Sequence, residues 1–438
     1  MSASSFNKEG STRLTHVNSE ARAPVGRQSR SFSTLAPPGL RRAARVLFHP
    51  DMKPTCPRFV ARFVFLSLTL AFCAPALAKD FWVYFGTYTG KSSKGIYASR
   101  LDAATGKLTP PELVAETTSP SFLAVSPNEK FLYAANEVPK FEGKDGGAVS
   151  AFAIDRATGK LAALNTKSSG GAGPCHLVVD ATGKSVLVAN YGGGSVQALP
   201  VKQDGSLDDG GAFIQHQGSS VDKGRQSSPH GHAIVTDPGN RFALACDLGL
   251  DKVLIYKLNP AKAGLTANEP AFGTVPAGSG PRHIAFRPDG KFAYVINEMS
   301  CTVTTFAFDS KRGALEAVET TSSLPKDETV QRGYSTAEIE MHPSGKFVYG
   351  SNRGHDTLAV FAIDAKSGKL ILVEHASTKG KIPRSFGIDP TGRWLLAANQ
   401  SSDNVVAFAI DPNTGKLTPT GQELQVGTPV CVKFAEAK

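Results

Sequence analysis

The sequence lacks any cysteine pair at the spacing of a metal site. It contains only six Cys in 438 residues, and two of them, Cys56 and Cys73, precede residue 79. The remaining four are scattered single residues: Cys175, Cys246, Cys301 and Cys431. Each lies in or beside a predicted strand, where a free Cys usually packs as a small apolar side chain. A zinc site is therefore not expected.

An excess of charge is also missing from most of the chain. Residues 1–78 contain eleven Lys or Arg and three Asp or Glu, whereas residues 79–438 contain 37 and 35. The formal net charge of +10 therefore comes largely from the N-terminal segment. No basic patch is implied for the folded part, so a nucleic-acid partner is not expected.

Long apolar runs are absent after residue 79. Residues 1–51 are rich in Ser, Arg, Ala and Pro without apolar periodicity, and we interpret them as a disordered or untranslated extension. Met52 opens a basic stretch that is followed by an apolar run at 63–72 and by Ala76-Leu77-Ala78. This pattern predicts a Sec signal peptide over 52–78, cleaved after Ala78, and hence a periplasmic or secreted protein without stable membrane insertion.

From residue 81 onward one unit recurs seven times. Its clearest copy is Gly280–Glu298, where two apolar segments flank the turn signal Arg287-Pro288-Asp289-Gly290 and predict an antiparallel hairpin. The second strand of this hairpin is predicted at 82–88, 131–137, 186–191, 242–248, 292–298, 347–353 and 394–400. A third strand follows, then a turn such as Thr-Gly-Lys-Leu and a less regular fourth strand.

Seven such units predict an all-β fold, a seven-bladed β-propeller of four-stranded antiparallel blades over residues 79–438. The first unit begins directly at its second strand, and the C-terminus supplies a lone first strand at 430–434. We therefore predict that the C-terminal strand joins the first blade and closes the ring.

In a propeller the first strands line the central channel, and their starts lie beside the ends of the second strands. One face of the channel should then carry the polar residues of both columns. The first-strand starts supply His176, His230, His232, Arg282, His283, Glu338 and Arg384, and the second-strand ends supply Tyr88, Glu137, Tyr191, Glu298, Arg353 and Gln400.

These residue types suit acid/base chemistry on an anionic molecule. Arginines can bind a carboxylate or phosphate, and His230, His232 and Glu298 offer acid or base groups. An ion-pair network without catalysis is the alternative for Arg282, Glu298 and Arg353. Strand alternation predicts His230 and His232 on one face, but no third ligand lies nearby, so no metal is predicted. The preceding column, from Thr87 and Asn136 to Asn399, is interpreted as structural.

Three segments together resemble the seven-bladed lactonase family, which includes propeller-type 6-phosphogluconolactonases and the fungal carboxy-muconate cyclase. They are Ser-Pro-His-Gly-His-Ala at 228–233, Gly280–Glu298 and Ser-Asn-Arg-Gly at 351–354. The resemblance covers residues 81–434 and implies active-site groups at His232 (or His230), Arg282, Glu298 and Arg353. It implies no metal or cofactor.

The first hypothesis is a hydrolase that opens a sugar lactone, with a His as general base and arginines as anion ligands. His176, His283, Arg384, Glu137 and Tyr191 are predicted to bind the substrate, and a monomer is expected. A muconate-type cycloisomerase is the second enzyme hypothesis. The third is a periplasmic binding or scaffold propeller without chemistry, because fold alone does not fix function.

Overall fold

Two apolar segments joined by a tight turn produce the same hairpin in every repeat. The computed structural model describes residues 79–438, and the predictions for residues 1–51 and 52–78 lie outside this part of the chain. Within it, seven four-stranded antiparallel sheets form the blades. Neighbouring first strands contact one another around the whole ring. The predicted all-β seven-bladed propeller is confirmed.

The strands follow one another from the inner to the outer edge of each blade. Blade 1 contains β1 (Phe81–Thr87), β2 (Gly95–Leu101) and β3 (Glu112–Glu116). Blade 2 contains β4 (Pro120–Val125), β5 (Phe131–Asn136), an inserted hairpin of β6 (Lys140–Phe141) and β7 (Lys144–Asp145), then β8 (Ala148–Ile154) and β9 (Leu161–Ser168). Blade 3 contains β10 (Pro174–Val179), β11 (Ser185–Asn190), β12 (Ser195–Pro200) and β13 (Phe213–Gln215).

The remaining blades repeat this order. Blade 4 contains β14 (Gly231–Thr236), β15 (Phe242–Asp247), β16 (Lys252–Asn259) and β17 (Gly264–Thr274); blade 5 contains β18 (Pro281–Phe286), β19 (Phe292–Asn297), β20 (Thr302–Asp309) and β21 (Ala314–Ser322). Blade 6 contains β22 (Ser335–Met341), β23 (Phe347–Arg353), β24 (Thr357–Ile363) and β25 (Leu370–Ser377); blade 7 contains β26 (Pro383–Ile388), β27 (Trp394–Asn399), β28 (Asn404–Ile410) and β29 (Leu417–Gln425).

The last strand, β30 (Pro429–Glu436), completes blade 1. It pairs antiparallel with β1 along its length, from Phe81 opposite Glu436 to Thr87 opposite Pro429. Val430, Cys431 and Val432 on this strand are buried. The predicted closure of the ring by residues 430–434 is thus confirmed.

The core lies between the faces of successive blades, and most second strands are buried along most of their length. Their observed bounds agree with the predicted segments to within one residue at each end. A 3-10 turn at Pro260–Lys262 is the sole helical element in the described residues. No helix of this part of the chain has the length and apolar character needed to cross a membrane.

Each first strand of blades 2 to 7 starts with an irregularity that the sequence did not predict. In blade 5, Pro281 pairs with Asn297 and His283 with Ile296, so Arg282 between them has no partner on β19. The same β-bulge leaves His232 unpaired in blade 4 and Arg384 unpaired in blade 7. A bulge re-aims the extra residue, so side chains at the strand start do not alternate strictly between faces.

Candidate functional site

The starts of the first strands and the ends of the second strands surround a cavity of about 210 Å³ at one end of the channel. We call it the upper cavity. It is lined by Glu137, Cys175, Tyr191, Arg225, His232, Glu298, Arg353 and Arg384. Six of these residues were predicted from the sequence for this face of the channel; Cys175 and Arg225 were not. Typical pockets for drug-sized ligands start at about 300 Å³, so the upper cavity fits a small molecule.

Glu298 is the negative centre of this cavity. Its side chain is 8% exposed, and its Oε2 lies 3.1 Å from Arg282 Nε and 2.9 Å from Arg353 Nη2. Its other oxygen, Oε1, accepts a hydrogen bond from Arg225 Nη2 at 2.7 Å. Burial alone would raise the pKa of Glu298, but the three arginines outweigh it and lower the pKa to about 2. The carboxylate is therefore ionised throughout the physiological pH range.

The two strand-borne arginines are held by the backbone as well as by Glu298. Arg282 Nη1 donates to the carbonyl of Ala337 at 2.8 Å, and Arg353 Nη2 donates to that of Thr336 at 2.8 Å. Burial lowers the pKa of Arg353 to about 10, partly offset by Glu298. Both guanidinium groups remain cationic near neutral pH, in fixed positions.

His232 is the buried imidazole of the upper cavity. Its Nδ1 lies 3.6 Å from the sulfur of Cys175, whose thiol donates to the backbone oxygen of His232 at 3.3 Å. This arrangement favours a proton on Nδ1 and leaves the lone pair on Nε2. Nε2 lies 3.9 Å from Glu298 Oε2, too far for a direct hydrogen bond. Burial, followed by the charge of Arg282, holds the pKa of His232 well below its usual range.

Arg384, on β26 of blade 7, is a further cation that lines the cavity. No carboxylate lies within salt-bridge distance of it in the part of the chain that the structure describes; its guanidinium carbon lies 5.5 Å from the centre of the Tyr88 ring. The Tyr88 hydroxyl donates to Glu137 Oε2 at 2.8 Å. Burial lowers the pKa of Arg384, but Tyr88 and Glu137 overcome this and raise it. Arg384 is therefore a cation available to a ligand.

His230 lies beside the cavity without lining it. It precedes β14, its ring stacks on Tyr191 with centres 4.6 Å apart, and its Nδ1 lies 3.0 Å from the carbonyl oxygen of Tyr191. The sequence analysis placed His230 and His232 on one face by strand alternation. Both rings do contact the ring of Tyr191, with centres 5.3 Å apart for His232, but the strand starts only at Gly231 and its bulge re-aims His232, so alternation does not explain their placement.

His176 and His283 form a layer beneath the upper cavity. The rings lie 5.0 Å apart, and His283 also contacts the rings of His232 and Phe122. His283 Nδ1 lies 2.7 Å from Glu338 Oε1, while its Nε2 lies 3.1 Å from Arg282 Nη1. Burial lowers the pKa of His283 to about 4, against the effect of Glu338. Because each follows a bulge residue, these two histidines do not line the upper cavity with their neighbours.

A second cavity of about 460 Å³ opens below this layer and is lined by His176, Glu338, Glu340, Lys433 and mainly apolar residues. Although it is the larger of the two, no arginine lines it, and neither Glu298 nor His232 does. The convergence of a histidine, a carboxylate and several arginines occurs only at the upper cavity among the described residues. We therefore assign the candidate active site to the upper cavity.

The column just before the second-strand ends, which runs from Thr87 and Asn136 to Asn399, forms structural hydrogen bonds, as predicted. Asn190 donates from Nδ2 to the carbonyl of Ser169 at 2.9 Å, and Asn352 donates in the same way to Ser323 at 2.8 Å. Each acceptor follows the outer strand of the preceding blade, so these side chains join neighbouring blades.

Arg225 comes from a loop at 216–230, between β13 and β14, that has no counterpart in the repeat. Comparing repeats therefore gave no signal for it. Cys175 was interpreted as a packing residue, yet it is a bulge residue in the same column as His232 and Arg282. Had the bulge been predicted, Cys175 would have been recognised as a residue that lines the cavity.

Within residues 79–438, no group of three or more His, Cys, Asp or Glu side chains is arranged to hold a metal ion. The four Cys of this region are free and buried.

Comparisons with known proteins agree with this architecture. The family model described as lactonase, 7-bladed beta-propeller, matches residues 82–434. A 6-phosphogluconolactonase of Bacillus subtilis is 39% identical over 351 residues, covering 80% of this chain and 97% of its own length. One from Formosa agariphila is 35% identical over 314 residues, covering 70% and 86%.

Among solved structures, a periplasmic gluconolactonase of Pseudomonas aeruginosa superposes with a TM-score of 0.77 at 36% identity. The match covers 82% of this chain and all of that one. The chain belongs to the seven-bladed β-propeller lactonase family.

Proposed function

We propose that the protein hydrolyses a sugar lactone of the 6-phosphogluconolactone or gluconolactone type in the upper cavity. The observation that carries the proposal is a buried neutral imidazole, His232, which lines a cavity together with Glu298 and three arginines. The names of the relatives from Bacillus subtilis and Pseudomonas aeruginosa support this reaction class.

In the proposed mechanism His232 acts as the general base. Its Nε2 accepts a proton from water while the water oxygen bonds to the lactone carbonyl carbon, whose oxygen becomes negatively charged. The bond between that carbon and the ring oxygen then breaks, and the imidazolium returns the proton to the departing ring oxygen. The product is an open-chain hydroxy acid, and no other reactant is consumed.

The arginines stabilise the negative charge that develops on the carbonyl oxygen. Arg353 and Arg384 line the cavity and can approach that oxygen or an anionic group of the substrate. Arg282 is almost fully buried and is bonded to Glu298 and to the backbone. We assign it to holding Glu298, which in turn fixes the arginine positions.

Binding of an anionic substrate would also raise the pKa of His232. The pKa of His232 is held low by burial and then by neighbouring cations, chiefly Arg282. A bound negative charge offsets those cations and raises the pKa of His232 toward that of a more effective base.

Export from the cytoplasm is part of the proposal. It rests on the signal-peptide pattern at 52–78 and on the periplasmic relative from Pseudomonas aeruginosa. N-terminal sequencing of the exported protein tests it, with Lys79 expected as the first residue. Any other mature start contradicts the predicted cleavage site.

The reaction is tested by a lactone panel in which acid release is measured at constant pH with the purified protein. We expect hydrolysis of 6-phosphogluconolactone or δ-gluconolactone well above the spontaneous rate. Loss of the ultraviolet absorbance of a muconate, without acid release from lactones, would instead indicate a cycloisomerase. Inactivity on the panel and on muconates would favour a binding protein.

A further inference from the structure

Arg225 differs from the other cations of the site in origin and exposure. Arg282, Arg353 and Arg384 stand on the strands of blades 5, 6 and 7, whereas Arg225 stands on the loop at 216–230, which we call the Arg225 loop. The Arg225 side chain is 46% exposed, against 3% for Arg282 and 12% for Arg353. It is the accessible cation around Glu298.

The backbone of the Arg225 loop is fixed firmly to blade 4. His216 at its start bonds through Nδ1 to Asp247 Oδ2 at 2.6 Å, and the backbone N–H of His230 at its end donates to Asp247 Oδ1 at 2.8 Å. In its middle, Gln226 is fully buried and donates to the carbonyl of Leu248 at 2.9 Å. The position of the Arg225 backbone is therefore set by the fold.

The guanidinium group, in contrast, uses only part of its hydrogen-bonding capacity. Its Nη2 donates both to Glu298 Oε1 at 2.7 Å and to the Tyr191 hydroxyl at 3.2 Å. Nε and Nη1 make no hydrogen bond to the residues that the structure describes. A guanidinium can offer five donors in a planar fork, which suits bidentate binding of phosphate or carboxylate.

Glu298 does not need this third arginine for charge balance. Its Oε2 is already paired with Arg282 and Arg353, both largely buried. An ion pair whose cation is nearly half exposed contributes little to stability. Around the upper cavity, four arginines thus face two carboxylates, Glu298 and Glu137, which leaves an excess of positive charge.

We propose that Arg225 is a specificity-determining residue that binds a second anionic group, a phosphate or carboxylate, on the lactone substrate. This inference rests on the proposed function. On binding, the guanidinium moves from Glu298 to the substrate anion, while the fixed loop backbone keeps it over the cavity. The released Oε1 of Glu298 can then accept a hydrogen bond from a substrate hydroxyl.

The test compares Arg225→Gln with the parent on 6-phosphogluconolactone, glucarolactone and uncharged δ-gluconolactone. Loss of a charge-assisted hydrogen bond predicts a fall in kcat/KM of about tenfold or more, mainly through KM, for at least one anionic lactone. For δ-gluconolactone the change should stay within about twofold. Arg225→Lys should recover part of the loss, and Lys223→Gln, on the same loop, is the matched control.

Equal losses on all three lactones, or no loss on either anionic one, would overturn the role of Arg225. Failure of the proposed function is recognised separately, since the parent itself would then hydrolyse none of them. In that case, isothermal titration calorimetry with 6-phosphogluconate and gluconate still tests the role of Arg225. Arg225→Gln should weaken binding of the phosphorylated acid about tenfold and leave gluconate within about twofold; equal effects, or no binding of 6-phosphogluconate by the parent, contradict the inference.

Discussion

At the scale of single residues, burial and charge give Glu298 and His232 different protonation states. Both are buried, yet Glu298 is ionised because three arginines outweigh its burial, whereas His232 is neutral because burial, and then the charge of Arg282, lower its pKa. Arg282 thus contributes to lowering both pKa values. One group becomes a fixed anion and the other a proton acceptor.

The low pKa of His232 predicts an unusual pH dependence. A general base acts in its neutral form, and an imidazole whose pKa lies below 6.5 stays neutral at lower pH than a free histidine. The acid limb of kcat/KM for lactone hydrolysis should therefore lie below pH 6.5, with no loss of activity as pH falls from 8 to 6.5. A pH–rate profile corrected for spontaneous hydrolysis measures this. An acid limb centred at or above pH 6.5 would contradict it.

Removing the charge of Glu298 should destabilise the fold. Glu298→Gln leaves Arg282 and Arg353 buried without a counter-charge, which typically costs about 3–5 kcal/mol in the free energy of unfolding. Urea unfolding at pH 7 measures the loss, and Glu316→Gln, at an exposed position of β21, is the control. A loss as small as that of the control would show that Glu298 is not needed for charge balance.

The pH dependence of this loss follows from the pKa of Glu298. Because the pKa is lowered from 4.5 to about 2, its stabilising effect is complete above pH 4.5 and disappears as pH falls through 2. The difference between parent and Glu298→Gln should therefore shrink over that interval.

At the scale of elements, a repeated contact joins neighbouring blades at the outer turns. Tyr294 on β19 donates from its hydroxyl to the carbonyl of Gly368, in the turn after β24 of the next blade. Tyr84, Tyr133 and Tyr349 make the same bond to Gly159, Gly205 and Gly415. The glycines of these turns therefore also accept a hydrogen bond from the preceding blade.

Gly368 packs closely against the preceding blade, so Gly368→Ala should be more destabilising than the strain of a left-handed backbone alone. Gly368 has a φ of +72°, and an added Cβ would lie 2.3 Å from the ring of Phe292. Gly421→Ala is the matched control, since Gly421 has a φ of +83° and nothing within 4 Å of an added Cβ. Left-handed backbone should cost about 1–2 kcal/mol in both variants, with a further loss only at Gly368. Equal losses of stability for the two variants in thermal unfolding would contradict close packing of Gly368 against Phe292.

The elements themselves were predictable because their signals are local and repeated. Apolar segments, turn residues and seven copies located the second strand of each hairpin to within one residue. The bulges were not predictable, since an unpaired residue such as Arg282 leaves no mark in an apolar pattern. For that reason the sequence predicted His283 at the rim of the cavity, whereas the structure places it beneath the cavity, with its Nε2 3.1 Å from Arg282 Nη1.

At the scale of the whole molecule, ring closure creates the site. Glu298 and the arginines that surround it come from blades 5 and 6 and from the Arg225 loop, and Arg384 adds blade 7. The repeat predicted these strand positions because each blade presents the same two columns to the channel. It could not predict Arg225, because the loop that carries it occurs once.

The central claim is that His232 is the general base of a lactonase, and one measurement tests it most directly. His232→Gln and His230→Gln are compared with the parent for hydrolysis of 6-phosphogluconolactone and δ-gluconolactone, with folding checked by circular dichroism. We predict a fall in kcat of about a hundredfold or more for His232→Gln, and less than about fivefold for His230→Gln, whose ring lies outside the cavity. A folded His232→Gln variant with parental kcat would contradict the account.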